Sequence, residues 1–123
     1  MIEDLPADVA GVLEAVLDPA DPVHAALRAQ AGRMRVGRRC GCGCGTADLE
    51  AVEGVAQAEP VPGEAGLRIA VQALLYDGDG GCSGEVLVFV RDGRLAWVEV
   101  AWWSDATVTL TEAARMLRAR GGK

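Results

Sequence analysis

Gly84-Glu-Val-Leu-Val-Phe-Val-Arg-Asp-Gly-Arg-Leu-Ala-Trp-Val-Glu-Val-Ala-Trp-Trp103 is the stretch that decides the fold. Two runs of β-branched and aromatic residues flank Asp92-Gly93, and an Asp-Gly pair between such runs signals a two-residue β-hairpin. A loop of that length pairs Val90 with Leu95, Val88 with Trp97 and Val86 with Glu99. The other face of the ribbon then carries Leu87, Phe89, Ala96, Val98, Val100 and Trp102. Both faces are apolar. One packs on helices, and the other needs a second layer, a partner subunit or a ligand.

Before this hairpin, Asp77-Gly-Asp-Gly-Gly81 reads as a turn, and Arg68 to Tyr76 reads as a strand with Ile69, Val71, Ala73 and Leu75 on one face. Residues 54–66 hold Pro60, Pro62 and Gly63 and read as an exposed loop. Arg33 to Arg39 and Thr46 to Val52 form a further strand pair, joined by a loop of alternating cysteine and glycine.

The chain opens with two helices. Leu5, Val9, Val12, Leu13 and Val16 recur at helical spacing, and Asp18-Pro19 stops that run. Asp21 caps a second helix with Pro22 at its first position and Val23, Ala26 and Leu27 as its stripe. The last element is a helix near 110–119, with Thr109 and Glu112 as a capping box and Leu110, Ala114 and Leu117 as its apolar stripe. The expected fold is a single α+β domain over 1–123: an N-terminal helical hairpin, an antiparallel sheet of four or five strands and a C-terminal helix.

At 123 residues and 50% hydrophobic content, the chain buries a core without staples. Its longest apolar run, Val86 to Val90, is too short to cross a bilayer. The N-terminus is acidic and lacks the basic region of a signal peptide, so a cytoplasmic location is expected. A net charge of −6 disfavours nucleic acid as a partner. All but one of the 12 basic residues are Arg. With abundant Ala, Gly and Val, this is the codon usage of a GC-rich genome more than a phosphate-binding signal.

Arg39-Cys40-Gly-Cys42-Gly-Cys44-Gly45 is the segment that packing explains least. Glycine between the cysteines lets the loop curl, so three sulfurs can converge on one ion. Zinc takes four ligands, and Cys82 is the natural fourth; Cu(I) accepts two or three thiolates. In a reducing compartment clustered thiols are metal-binding or reactive more often than disulfide-bonded. Arg38 and Arg39 favour the thiolate. The plainer reading is a tight turn with reduced thiols, and arginines on the wet side of an edge strand.

Other motifs fall away. Asp77-Gly-Asp-Gly lacks the carboxylate a calcium loop needs at its twelfth position, where Val88 stands. Gly81-Cys-Ser-Gly-Glu85 is not a nucleophile elbow. His24, the lone histidine, reads as a surface residue of the second helix, with no oriented third group to build a Cys–His pair. Phe89, Trp97, Trp102 and Trp103 hold four of the five aromatic rings. Leu95, Trp97 and Trp103 are the candidate partner or ligand surface, set against the alternative of a second packed layer.

The run from Asp21 to Gln30, the Arg39 to Cys44 core, Asp48-Leu49 and the Gly84 to Glu99 hairpin resemble a group of small uncharacterised actinobacterial proteins with an Arg-Cys-x-Cys-Gly-Cys core. The resemblance implies a recurring domain and carries no activity. Cys82 lies outside that group's pattern. The expected function is a non-enzymatic cytosolic binding or interaction module, dimeric or partnered through the Trp-bearing sheet face, with a structural Zn2+ in the cysteine loop. The alternative is soft-metal (Zn/Cu) handling or thiol redox chemistry by Cys40, Cys42 and Cys44. A small-molecule enzyme has the least support.

Overall fold

The structure, a computed structural model, describes residues 5–39, 46–51, 67–76, 81–102 and 108–121. Among the described residues, three helices and five strands follow in the order α1 (Ala7–Val16), α2 (Pro22–Ala31), β1 (Met34–Arg39), β2 (Ala47–Ala51), β3 (Leu67–Tyr76), β4 (Cys82–Arg91), β5 (Arg94–Trp102) and α3 (Leu110–Gly121). The strands form one sheet in the order β1-β2-β5-β4-β3, and every neighbouring pair is antiparallel. The α+β class and the flanking helices are therefore as the sequence predicts. No helix among the described residues is long and apolar enough to cross a membrane.

Local chemistry explains the helix ends. Asp21 accepts hydrogen bonds from the backbone N–H groups of Val23 and His24 at 2.9 and 3.1 Å, which caps α2. Thr109 and Glu112 bond each other's backbone N–H at 3.0 and 3.1 Å, so the expected capping box opens α3. Arg28 of α2 closes the other end of α1: its Nη1 donates to the carbonyls of Glu14 and Leu17, both at 3.0 Å. A guanidinium there satisfies orphan carbonyls and meets the negative end of the helix dipole.

The helices cover one face of the sheet. Val9, Val12 and Leu13 of α1, Leu27 of α2 and Leu110, Ala113 and Ala114 of α3 are buried with Met34, Leu49, Leu75, Val86, Val88, Val90, Leu95, Val98 and Val100 of the sheet. Successive strand residues point to opposite faces, so these positions fix which side chains face the helices and which face away. Asp8 of α1 meets Arg39 of β1 at 2.9 Å, which ties the helix layer to the base of the β1–β2 hairpin.

The hairpin at Asp92-Gly93 forms as expected. Both residues have positive φ, 53° and 79°, as a tight hairpin turn requires, and Arg91 faces Arg94. Val90 pairs with Leu95. Beyond that pair the register departs from simple alternation. Phe89 faces Trp97, Val88 faces Val98, Leu87 faces Glu99 and Val86 faces Val100, because Ala96 is an extra residue in β5. The expected pairs Val88–Trp97 and Val86–Glu99 are thereby corrected by one residue. The shift is physical. It puts Val98 and Val100 on the helix side with Val86 and Val88, and moves Trp97 and Glu99 to the outer side. A second bulge at Ala70 turns Ile69 outward with Phe89, so the single face expected for Ile69, Val71, Ala73 and Leu75 is corrected: the last three share the inward side and Ile69 does not.

Candidate functional site

Two places come forward from the sequence, the outer face of the sheet and the cysteine hairpin. The outer face lies opposite all three helices. It carries Leu67, Ile69, Gln72 and Leu74 from β3, Glu85, Leu87, Phe89 and Arg91 from β4, and Arg94, Trp97 and Glu99 from β5. Leu67, Ile69 and Leu74 are the large hydrophobic residues most open to solvent among those described, at 51%, 49% and 40% exposure. Three such side chains on one strand, beside half-buried Leu87, Phe89 and Trp97, form a contiguous apolar patch.

Polar groups on this face are tied down locally. Trp97 Nε1 donates to Glu99 Oε1 at 2.9 Å, two residues along the same strand and on the same face. Gln72 Nε2 donates to Glu85 Oε1 across the β3–β4 pair. Toward the other sheet edge, Arg35 and Glu50 pair across β1 and β2 at 3.1 Å. The polarity thus rises from β3 toward β1, with the apolar half centred on β4.

The three candidate surface residues part company here. Trp97 lies on the outer face. Leu95 lies in the core at 2% exposure, because the bulge at Ala96 separates it from Trp97. Leu95 therefore drops out of the partner surface. Trp103 lies outside the described residues. Trp102, one position earlier, packs against the core, and its ring edge sits where a side chain at Gly84 would go: a Cβ there would come within 2.7 Å of the indole.

Cys40, Cys42 and Cys44 also lie outside the described residues. What the structure gives is the frame around them. Arg39 faces Ala47 across the antiparallel β1–β2 pair, and the loop expected between these strands lies outside the described residues. Thr46 Oγ1 accepts from Val100 N–H at 3.3 Å, which fixes the hairpin base beside the far end of β5. Cys82 opens β4 two residues before Gly84, which faces Trp102. It is exposed, and its thiol lies 3.7 Å from the Gly84 carbonyl oxygen. Both ends of the cysteine segment and Cys82 therefore occupy the same end of the sheet. Among the described residues, no three His, Cys, Asp or Glu side chains gather as a metal-binding group.

His24 is a structural residue in this fold. Its Nδ1 accepts from the Asp18 backbone N–H at 3.1 Å, closing the turn between α1 and α2. A cleft of about 310 Å³ lies between those helices, lined by Leu5, Ala10, Leu13, Glu14, Arg28, Ala31 and Gly32. The cation in its lining, Arg28, caps the α1 carbonyls. These lining residues include no acid–base pair and no activated nucleophile, so they offer no catalytic machinery.

Sequence reasoning misses Gln30. It is buried at 5% exposure in the apolar stripe of α2, and it holds the β4–β5 hairpin through two backbone hydrogen bonds. The available signal is its position, one helical turn after Leu27 on a stripe that starts at Val23. Comparison with protein-family models, with curated proteins and with solved structures finds no match to this chain.

Proposed function

We propose that the protein is a non-enzymatic interaction module that associates with a protein partner through the outer face of β3, β4 and β5. One observation carries this reading: an antiparallel sheet covered by helices on one side leaves Leu67, Ile69 and Leu74 at 40–51% exposure on the other. A solvated sheet face ordinarily alternates to polar residues. Here β3 is apolar on both sides, and such surface is the usual signature of an association site. Unfolding of Ile69→Glu and Leu67→Glu in dilute solution tests it. If the face is open in the single chain, both variants stay within roughly 0.5 kcal/mol of the parent, as surface substitutions do. A loss of several kcal/mol, the cost of burying an unpaired charge, would mean the chain already covers this face itself and would end the reading.

A second reading, a Zn2+ or soft-metal thiolate site, is favoured by the sheet end that Cys82 shares with both ends of the cysteine segment. β2 and β4 are separated by β5, hence by about 10 Å across the sheet. Cys44 stands two residues from Thr46, a tether that spans up to about 7 Å. That tether is shorter than the separation, so the reading, with Cys40, Cys42, Cys44 and Cys82 as the ligands, rests on the shared sheet end and not on a measured reach. Metal analysis with thiol titration before and after chelation tests it: one zinc per chain and thiols released only on chelation support the site, and metal-free protein with reactive thiols removes it.

A further inference from the structure

The outer face is not only apolar; its charges are ordered. Along β4 the outward residues read Glu85, Leu87, Phe89 and Arg91. At the turn end, Arg91 faces Arg94 across the hairpin, so two cations sit together. At the other end Glu85 stands beside Leu74, and Glu99 lies beside Leu87. Along β4 the patch therefore runs from Arg91 at the turn end, through Leu87 and Phe89, to Glu85 at the other end, with Glu99 and Asp48 flanking its middle on the β5 and β2 side.

Of the two aligned face-to-face stackings of this surface, only the antiparallel one brings Arg91 and Glu85 together. We propose that, resting on the association reading above, the partner is a second copy of this chain. The two outer faces stack with their β4 strands antiparallel, about a two-fold axis that lies in the interface, perpendicular to the strands at the level of Val88. This operation places Arg91 over Glu85 of the other copy and Glu85 over its Arg91. It places Leu87 over Phe89, and Leu67 over Leu74. A parallel stacking would set Arg91 on Arg91 and Glu85 on Glu85, which like-charge repulsion excludes. An isologous contact of this kind closes on itself, as dimers do. β4 lies at the centre because it is the middle strand of the apolar half, and two such faces stack about 10 Å apart at roughly 30°, within the reach of Arg.

The test is charge reversal read by sedimentation equilibrium and light scattering. The parent chain is expected to be a dimer. Arg91→Glu and Glu85→Arg each turn two attractive contacts into two repulsive ones, and each is expected to weaken dimerisation roughly tenfold or more. Mixing the two single variants restores a dimer that contains one copy of each. In that pair one copy is acidic at both positions and the other is basic at both, so each contact again joins opposite charges. The double variant, Arg91→Glu with Glu85→Arg, restores a dimer of itself. Variant folding is checked by circular dichroism, and restoration in the mixture shows that the weakened singles are folded.

A parent chain that is monomeric at every concentration overturns the dimer. If Ile69→Glu is then harmless to stability, the association reading stands with a different protein as partner. If Ile69→Glu is strongly destabilising, the residues between β2 and β3 or another part of the chain cover the face, and both readings fail. A parent dimer that the single reversals leave unchanged, or that mixing does not restore, overturns the antiparallel stacking.

Discussion

The side chain of Gln30 hydrogen-bonds the backbone of Leu95, with the Leu95 N–H donating to Oε1 at 2.9 Å. Its Nε2 donates in turn to the Gly93 carbonyl at 2.9 Å. One amide thus meets a donor and an acceptor of the hairpin turn from the helix side. It also sets the height of α2 on the sheet.

Gln30→Leu keeps the volume and removes both bonds. The buried Leu95 N–H is then left without this partner, which costs about 1–3 kcal/mol, while the part-buried Gly93 carbonyl loses its own bond to the side chain. Urea unfolding should show a lower midpoint at an unchanged slope. An unchanged midpoint would mean the two backbone groups find other partners.

Gly84 and Gly11 should respond in opposite directions to alanine. A Cβ at Gly84 would lie 2.4 Å from the Ala101 carbonyl oxygen and 2.7 Å from the Trp102 ring, and backbone cannot move aside cheaply. Gly84→Ala is expected to cost about 1–3 kcal/mol, as overpacking does. At Gly11 the nearest group is the end of the Arg118 side chain, at 3.1 Å. Gly11 lies inside α1, so Gly11→Ala should gain up to about 1 kcal/mol of helix propensity once that flexible side chain shifts. Thermal unfolding of the two variants checks the sign of each.

The Asp8–Arg39 pair makes stability depend on acid. The Arg39 hydrogen bond, opposed by partial burial and reinforced by the Arg39 charge, holds the Asp8 carboxyl below its ordinary value of 3.8. A carboxylate whose folded pKa is depressed contributes stability above its unfolded pKa and loses it as pH falls through the folded value. Asp8→Asn should therefore flatten the fall in stability below about pH 4, while the loss at neutral pH stays within roughly 1 kcal/mol because the pair is partly solvated. Unfolding curves across that range, parent against variant, carry the comparison; parallel pH profiles would show that the pair contributes nothing.

Much of the fold is legible in the chain, for identifiable reasons. Asp21-Pro22, Thr109 with Glu112, and Asp92-Gly93 act through local chemistry, so their caps and turn form where the sequence puts them. The register of β4 on β5 is not local. Ala96 and Ala70 carry no mark of a bulge, and the extra residue appears only because Val98 and Val100 must meet Val86 and Val88 under the helices. That single slip takes Leu95 into the core and leaves Trp97 outside. For the same reason the charge order of the outer face becomes visible only once the pairing of Arg91 with Arg94 and Leu87 with Glu99 is known.

The openness of the outer face in the single chain is the claim on which the account rests. Hydroxyl-radical footprinting of the chain at high dilution measures it residue by residue. Ile69 and Leu74 should be modified at the rate of exposed side chains, while Leu75, their inward neighbour on β3, is spared. Modification of Ile69 and Leu74 as slow as that of Leu75 would contradict the account.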